Sequence, residues 1–431
     1  MKSVALHTLG CKLNFSETST IAKAFQQKGF AIKEFNEKAD IYVINTCTVT
    51  ENADKECRKI IRRAKRINPN AVIAVTGCFA QTDYAMLSKM EEVTIVAGTK
   101  EKFKVPELAI ESLENNLPSC VYVSPREQID NFNFASSTDA DSRTRAFFKI
   151  QDGCDYLCTF CKIPQARGES RSVNPEYLQE KFNEILTEGY KEIILTGVNV
   201  GDYGRKIKSS LYELLLKFLE TNGDYRIRIS SIEPNLLTDE IIQLAKNDDR
   251  LAKHFHIPLQ SGSDKILRLM KRRYNSKFFE SLINKLNDEI PEIGLGIDVI
   301  TGFPGETDED FEQTYLLLER LPISYLHVFT YSERPNTEAL NFPGKVPFEI
   351  RKERTNRLRK LSETKRAEFH TKKLGQNVKV IFEHTNYDGM MKGFSSEYIR
   401  VKTKYDKALV NKFVNVKITE CDNEECYGEV D

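Results

Sequence analysis

The sequence carries no net charge: 63 Lys and Arg balance 63 Asp and Glu over 431 residues. No global field steers such a chain toward nucleic acid, and any RNA contact has to come from local patches. It lacks an apolar run approaching the roughly 18–20 residues that cross a bilayer. Its first residues form a polar strand pattern instead of the apolar stretch of a signal peptide. These absences predict a cytoplasmic protein with no membrane partner. Ten cysteines are too few for a disulfide scaffold at this length, so in a reducing compartment they imply metal, catalysis or plain burial. No coiled-coil repeat argues for an oligomer. What is present is 40% apolar residues, enough for real cores, in a chain long enough for two or three domains.

The first hundred residues alternate strand and helix. Strands are expected over 4–9, 41–45, 72–76 and 93–97, with helices over 17–28, 52–67 and 82–90. Alternation with short turns implies a parallel sheet with helices on its faces. Three of these strands run into a cysteine: Cys11, Cys47 and Cys78. The carboxyl ends of parallel strands share one edge, where ligand sites gather, so three thiols distant in sequence are expected along that edge. Any one of them alone reads equally well as a small apolar residue filling a strand end.

Residues 122–145 are polar and aperiodic and read as a linker. A second alternating series follows, with strands expected over 147–150, 193–195, 227–230, 255–257, 296–300 and 325–329. Its helices are expected over 175–187, 211–221, 239–246, 278–288 and 308–320. Six β/α steps predict a partial (β/α)6 barrel, short of the eight of a closed one. Residues 348–373 read as a long basic helix with Ile350, Leu358, Leu361 and Phe369 on its apolar side. It packs on the barrel as a solvated helix or also offers its basic face to nucleic acid. From 376 onward only short strands appear, the pattern of a small β-barrel. The domains expected are 1–121, a linker at 122–145, 146–370 and 371–431.

The chemistry sits in "KIQDGCDYLCTFCKIPQARG", where Cys154, Cys158 and Cys161 follow the first barrel strand. Zinc sites usually take a fourth protein ligand from another cysteine or histidine pair, and no such pair follows nearby. Three thiolates suit a [4Fe–4S] cluster with one open iron. This spacing, with Phe160 before the last cysteine, resembles that of the radical S-adenosylmethionine (SAM) enzymes. The resemblance implies that the open iron chelates SAM and that reductive cleavage yields a 5′-deoxyadenosyl radical, the cofactors carrying the chemistry. Other strand-end loops are then expected to hold SAM through Gly197, Asn199, Glu233, Gln260 and Ser261, besides Phe160. Each such loop alone would pass for an ordinary turn.

With that resemblance in hand, Cys11, Cys47 and Cys78 read as the ligands of a second [4Fe–4S] cluster. Three-cysteine domain, radical SAM barrel and terminal TRAM-type barrel together resemble the methylthiotransferase branch of the superfamily. The family implies two SAM per turnover, one methylating a sulfur at the N-terminal cluster and one generating the radical. It also implies a tRNA anticodon stem-loop as partner, an electron donor of flavodoxin or ferredoxin type, and a sulfur source. "TLGCKLN" and "NTCTVTENADKECRKIIRR" look most like the branch acting at C2 of N6-threonylcarbamoyladenosine, position 37 of tRNA. The alternatives are isopentenyladenosine tRNA, whose branch shows Gln-Met after the first cysteine, and an aspartate of ribosomal protein S12, whose branch shows Pro-Lys. Lys12 and Leu13 fit neither. Lys162 and Gln165 depart from the family's usual Ile and Tyr after the third barrel cysteine. A reading of another class is a non-catalytic RNA-binding protein with structural zinc or an iron–sulfur centre.

Cys57 is expected to be buried in a helix, Cys120 inert, and Cys421 and Cys426 bystanders. His254 and His256 read as core or as scaffolding for the SAM site. Phe382, Tyr387, Phe394, Tyr398 and Tyr405 alternate with Lys392, Arg400, Lys402 and Lys404. Stacking aromatics with outward cations are how small barrels hold single-stranded RNA, with some of the aromatics in the core.

Overall fold

A computed structural model describes residues 1–138 and 144–430. The first unit contains the strands β1 (Ser3–Thr8), β2 (Ala31–Lys33), β3 (Ile41–Thr46), β4 (Val72–Gly77), β5 (Ile95–Ala97) and β6 (Cys120–Tyr122). They form one sheet in the order β2-β1-β3-β4-β5-β6, parallel throughout. β3 and β4 are buried along their whole length, which explains why they read as continuous apolar runs and not as alternation. Helices α1 (Lys12–Gln27), α2 (Glu51–Ile67), α3 (Cys78–Thr82), α4 (Tyr84–Leu87) and α5 (Val105–Asn115) cover its two faces over separate cores.

Some expectations shift here. α1 starts at Lys12, not at residue 17. Ser16 and Thr18 look like caps, but their hydroxyls donate back to the Leu13 and Asn14 carbonyls inside the helix. The helix expected over 82–90 splits at Asp83 into α3 and α4. The short strands β2 and β6 and helix α5 were not expected.

The central unit holds β7 (Arg145–Lys149), a small pair β8 (Gln151–Asp152) and β9 (Arg171–Ser172), then β10 (Glu192–Thr196), β11 (Arg226–Ile229), β12 (His254–Gln260), β13 (Gly294–Thr301) and β14 (Tyr325–Thr330). β11-β10-β7 and β12-β13-β14 are parallel three-stranded sheets. Single bridges from Ile227 to Leu251 and from Ser231 to His256 join them. The result is a six-stranded open barrel with β7 and β14 at its two edges. Helices α6 (Ile163–Arg167), α7 (Pro175–Thr187), α8 (Leu211–Leu219), α9 (Asp239–Asn247), α10 (Asp264–Leu269), α11 (Ser276–Glu289) and α12 (Asp308–Arg320) connect the strands. Outward residues such as Phe148, Leu195, Ile227, Ile257 and Val299 pack with these helices in one core. By the two-residue period of a strand, Lys149, Glu192, Arg228, His256, Asp298 and His327 face the lumen.

Of the segment expected as a linker, 139–143 lie outside the described residues. Its preceding part pairs with β7: Lys149 donates to the Ala135 carbonyl and Ser137 to that of Phe147, each at 3.0 Å.

The long helix α13 (Phe348–Thr371) packs Leu358 and Leu361 into the barrel core, while Phe369 turns to the last unit and Ile350 stays exposed. That unit is a closed five-stranded barrel of β15 (Asn377–Phe382), β16 (Met390–Ser395), β17 (Arg400–Lys404), β18 (Phe413–Cys421) and β19 (Cys426–Val430), of TRAM-like form. β19 was not expected. No described helix is long and apolar enough to cross a membrane.

Candidate active site

Cys154, Cys158 and Cys161 hang on the loop between β8 and α6, and each sulfur accepts a hydrogen bond. The Tyr156 N–H donates to Cys154 at 3.4 Å, the Arg272 guanidinium to Cys158 at 3.2 Å and the Ile163 N–H to Cys161 at 3.4 Å. Burial pushes the thiols of Cys154 and Cys161 up to about 12, so ligation has to displace their protons, as soft metal sites do. Donors aimed at sulfur are what an iron–sulfur cluster uses to tune its charge.

The second triad is assembled by the sheet. Cys11 caps α1, Cys47 follows β3 and Cys78 opens α3. Gly10 has φ 103°, and a Cβ there would stand 2.8 Å from the Cβ of Cys47, so these two strand ends close on each other only with glycine. The Cys47 thiol is pushed up to about 12 by burial, with Cys78 and Cys11 adding to the rise. Among the described residues, no three His, Cys, Asp or Glu side chains converge tightly enough for one metal ion. Sulfurs from three separate strand ends suit a larger, multi-iron group.

Beside Cys161 lies a cavity of about 240 Å³. Val49 and Thr50 from the loop after Cys47 form one wall. Phe160, Cys161 and Lys162 form the second, and Gln260, Asp298, Ile300 and Phe329 the third. Two of the residues expected to hold SAM, Phe160 and Gln260, line it. Gln260 adopts φ 66° and its buried Oε1 has no partner among the described residues. Asn199 is buried with neither amide atom bonded among the described residues, an arrangement that costs free energy unless a ligand supplies partners. The other three expected residues have neighbours of their own. A Cβ on Gly197 would stand 2.9 Å from the Gln151 Oε1, so its close approach is to Gln151. The Glu233 carboxylate pairs with Arg272. Ser261 lies 3.3 Å from the Thr314 hydroxyl and accepts from the Ser263 N–H.

The sequence reading missed Arg272, which ties Glu233 to Cys158, and Asp202, whose buried carboxylate near Cys154 has no hydrogen bond among the described residues and faces Arg205 at 3.6 Å. Three residues after Asn199, Asp202 was visible as a second polar group in the same loop. His256 donates to or accepts from Asp298 at 2.7 Å, and its ring lies 4.9 Å from that of His327. His254 is buried against Tyr325 and Tyr398.

A buried ion network locks the first unit to the barrel beside both triads. Glu17 of α1 receives Lys102, Lys149 at 3.1 Å and Arg167 at 2.9 Å. Asp152 receives Lys149 at 2.7 Å, Arg167 at 2.9 Å and Arg171 at 3.3 Å. Burial opposes these charges, but the cations win and hold both carboxyls well below the usual carboxylate range. The two family departures also lie at contacts: Lys162 pairs with Asp83 at 2.9 Å and Gln165 donates to the Asn336 carbonyl.

On the terminal barrel the cations lie on the strand face away from the core, as expected, but most are already engaged. Lys392, Arg400 and Lys402 converge on Glu425, leaving Lys404 exposed. Phe382 is core, Tyr405 packs beside it and Tyr387 is exposed. Phe394 and Tyr398 stack at 4.9 Å and turn toward the central barrel. There Arg226 and Arg228, held by Glu192, donate to the carbonyls of Phe394, Ser395 and Ser396. Cys421 and Cys426 face each other across β18 and β19. Cys57 is buried in a core, and Cys120 sits on the edge strand β6.

An open six-stranded barrel with a three-cysteine loop after its first strands defines a radical SAM fold. Residues 148–318 match the Radical SAM superfamily, and residues 3–98 match the Uncharacterized protein family UPF0004. The solved radical SAM methyltransferase TsrM from Kitasatospora setae shares the fold, with TM-score 0.57 at 14% identity over 79% of this chain and 75% of that one. Nearly full-length relatives are more specific. The threonylcarbamoyladenosine tRNA methylthiotransferase MtaB of Bacillus subtilis is 41% identical over 97% of this chain and 94% of its own. The tRNA-2-methylthio-N(6)-dimethylallyladenosine synthase of Fusobacterium nucleatum is 33% identical over 100% of both. The chain belongs to the radical SAM tRNA methylthiotransferases, transferases that use SAM and a [4Fe–4S] cluster.

Proposed function

We propose that the protein adds a methylthio group to C2 of N6-threonylcarbamoyladenosine at position 37 of tRNA. The observation that carries this reading is the higher identity to the threonylcarbamoyladenosine enzyme, 41% against 33% for the dimethylallyl one. The mechanism is supported by the cavity that Val49 and Thr50, just after Cys47, share with Phe160, Cys161 and Lys162 of the barrel loop.

Cys154, Cys158 and Cys161 would hold the radical-generating cluster, and Cys11, Cys47 and Cys78 the sulfur-carrying one. Bound, two [4Fe–4S] clusters and two SAM per turnover supply a carbon-centred radical and a methylated sulfur. The chain's own residues orient and shield. Arg272 donates to Cys158 while fixing Glu233. Asn199 and Gln260 offer unpartnered amides to SAM, and Gly197, Glu233 and Ser261 shape the loops around it. Phe160, Ile300 and Phe329 give the cavity an apolar wall that keeps water from a reactive intermediate. Units 1–121, 146–370 and 371–431 then serve as sulfur carrier, radical source and RNA platform, joined through 122–145. The electron donor is of flavodoxin or ferredoxin type, a separate sulfur source recharges the N-terminal site, and the setting is the cytoplasm.

Nucleoside analysis of tRNA from a deletion strain tests this. Loss of 2-methylthio-threonylcarbamoyladenosine with accumulation of its unmethylthiolated precursor is expected. Unchanged tRNA overturns the reading, and loss of the isopentenyl product instead transfers the enzyme to that branch. Anaerobic reconstitution should give about eight irons per chain, whereas structural zinc gives none.

A further inference from the structure

Lys12 directly follows Cys11 and opens α1. Its side chain is half-buried and crosses to the terminal barrel, where the amine lies 5.5 Å from the ring centroid of Tyr398. Among the described residues it makes no hydrogen bond and no ion pair. Its charge is felt by His254 and His327 on the lumen side of the central barrel. Tyr398 and His327 line a cavity of about 330 Å³, and His327 shares one face of β14 with Phe329 of the neighbouring cavity, about 7 Å away along the strand, so Lys12 stands beside the first cavity on the lumen side.

Most of the other carboxylates around it are already matched. Asp298 holds His256 at 2.7 Å, and Glu192 holds Arg226 and Arg228. Glu425 takes Lys392, Arg400 and Lys402, whereas Glu397 acts on Arg226 without an ion pair among the described residues. Arg366 adds positive potential over Tyr325. Lys12 is thus a cation with no ion pair among the described residues, set against an aromatic ring and adjacent to Cys11, a cysteine of the proposed sulfur-carrying site. A half-buried ammonium in that position favours an anionic ligand group and disfavours a hydrocarbon one.

We infer that Lys12 is a specificity-determining residue that receives the carboxylate of the threonylcarbamoyl substituent on the substrate adenosine. The inference rests on the substrate reading above and deepens it. A dimethylallyl substituent, branched and uncharged, would leave the amine desolvated without a partner. The contact therefore selects for one adenosine and against the other.

The test uses the full chain, anaerobically reconstituted with iron and sulfide. Its ligands are anticodon stem-loops bearing threonylcarbamoyladenosine, the methyl ester of that group, or dimethylallyladenosine. Fluorescence anisotropy gives Kd for each. The wild type should bind the acid roughly tenfold more tightly than the ester. Lys12→Met should bind acid and ester alike, and Lys12→Arg should keep the preference. The acid-to-ester ratio is taken within one variant, so a general loss of folding or of cluster cancels. A Lys12→Met protein that still prefers the acid overturns the inference and leaves the substrate reading standing. A wild type that prefers the dimethylallyl stem-loop overturns the substrate reading and the inference with it.

Discussion

Cys154, Cys158 and Cys161 share one short loop, each sulfur with its own N–H donor. Cys11, Cys47 and Cys78 instead depend on register: Thr8 pairs with Asn45 and Thr46 with Gly77, and only that alignment brings three strand ends together. The first arrangement is local and survives wherever the loop survives. The second is a property of the whole sheet, so anything that shifts a strand or loosens the sheet from the barrel disturbs it. On the assignment proposed above, a loop-fixed radical source and a sheet-fixed sulfur carrier can be separated by mutation.

The largest expected effect exploits that separation. Cys158→Ala should reduce reductive SAM cleavage by roughly a thousandfold or more and remove about four of about eight irons. Cys47→Ala should lose a similar number of irons yet still cleave SAM, while methylthio transfer disappears. Iron analysis and 5′-deoxyadenosine release measure the two. A folded Cys47→Ala protein without SAM cleavage would break the contrast.

Next in size is the network that binds the two sites together. Glu17 sits in α1, six residues beyond Cys11, and receives Lys149 and Arg167 from the barrel. Arg167 also acts on Cys47 and Cys78. Glu17→Gln leaves buried cations short of a counter-charge, and a loss of about 3–5 kcal/mol in urea denaturation is expected. The exposed pair Arg320–Glu280 is the control, and Arg320→Ala should cost about 1 kcal/mol or less. The N-terminal irons should be lost first in Glu17→Gln, because the damage reaches the sheet-built site before the loop-built one.

Glu192 gives the same comparison a pH axis. Burial raises its carboxyl, but Arg226 and Arg228 pull it from 4.5 down to about 2. A carboxyl depressed in the folded state contributes stability above its unfolded value and loses it as pH falls through the folded value. The contribution should therefore be complete above about pH 4.5 and vanish toward about pH 2, with roughly 3 kcal/mol at stake. Glu192→Gln should flatten that part of the acid-denaturation profile relative to wild type. Because Arg226 and Arg228 hold the carbonyls of Phe394 to Ser396, the loss should appear first as proteolysis between α13 and β15, with both iron sites intact.

The contrast between the triads also explains what could be read from the chain. The barrel site was legible because its spacing is local, and the N-terminal site because parallel strands put their ends together whatever lies between. The start of α1 was not legible, since Ser16 and Thr18 have the chemistry of caps and the position of helix interior. Edge strands such as β2 and β6 have three residues each and carry no pattern to count. Long-range pairing leaves no local trace: nothing near Lys392, Arg400 or Lys402 announces Glu425, and nothing near Glu17 announces Lys102, Lys149 and Arg167. For Glu233 and Ser261 the loop was found at the strand end as expected, but each side chain already has a neighbour within the protein.

The smallest effect concerns a cysteine that lies near a site without belonging to it. Cys57, in α2, is fully buried, and it lies close enough to Cys47 for the Cys47 charge to raise it further, beyond what burial and Asp54 do. On proximity alone it is the natural substitute ligand for the N-terminal site. The register argument excludes it, because Cys57 is held by helix packing against Ile61 and Ile44 in the sheet core and does not sit at a strand end. Cys57→Ser should therefore keep about eight irons and full SAM cleavage, and lose only about 1–2 kcal/mol for burying a hydroxyl among apolar neighbours. Loss of about four irons in this variant would mean that the helix contributes to the cluster and that the sheet alone does not build it.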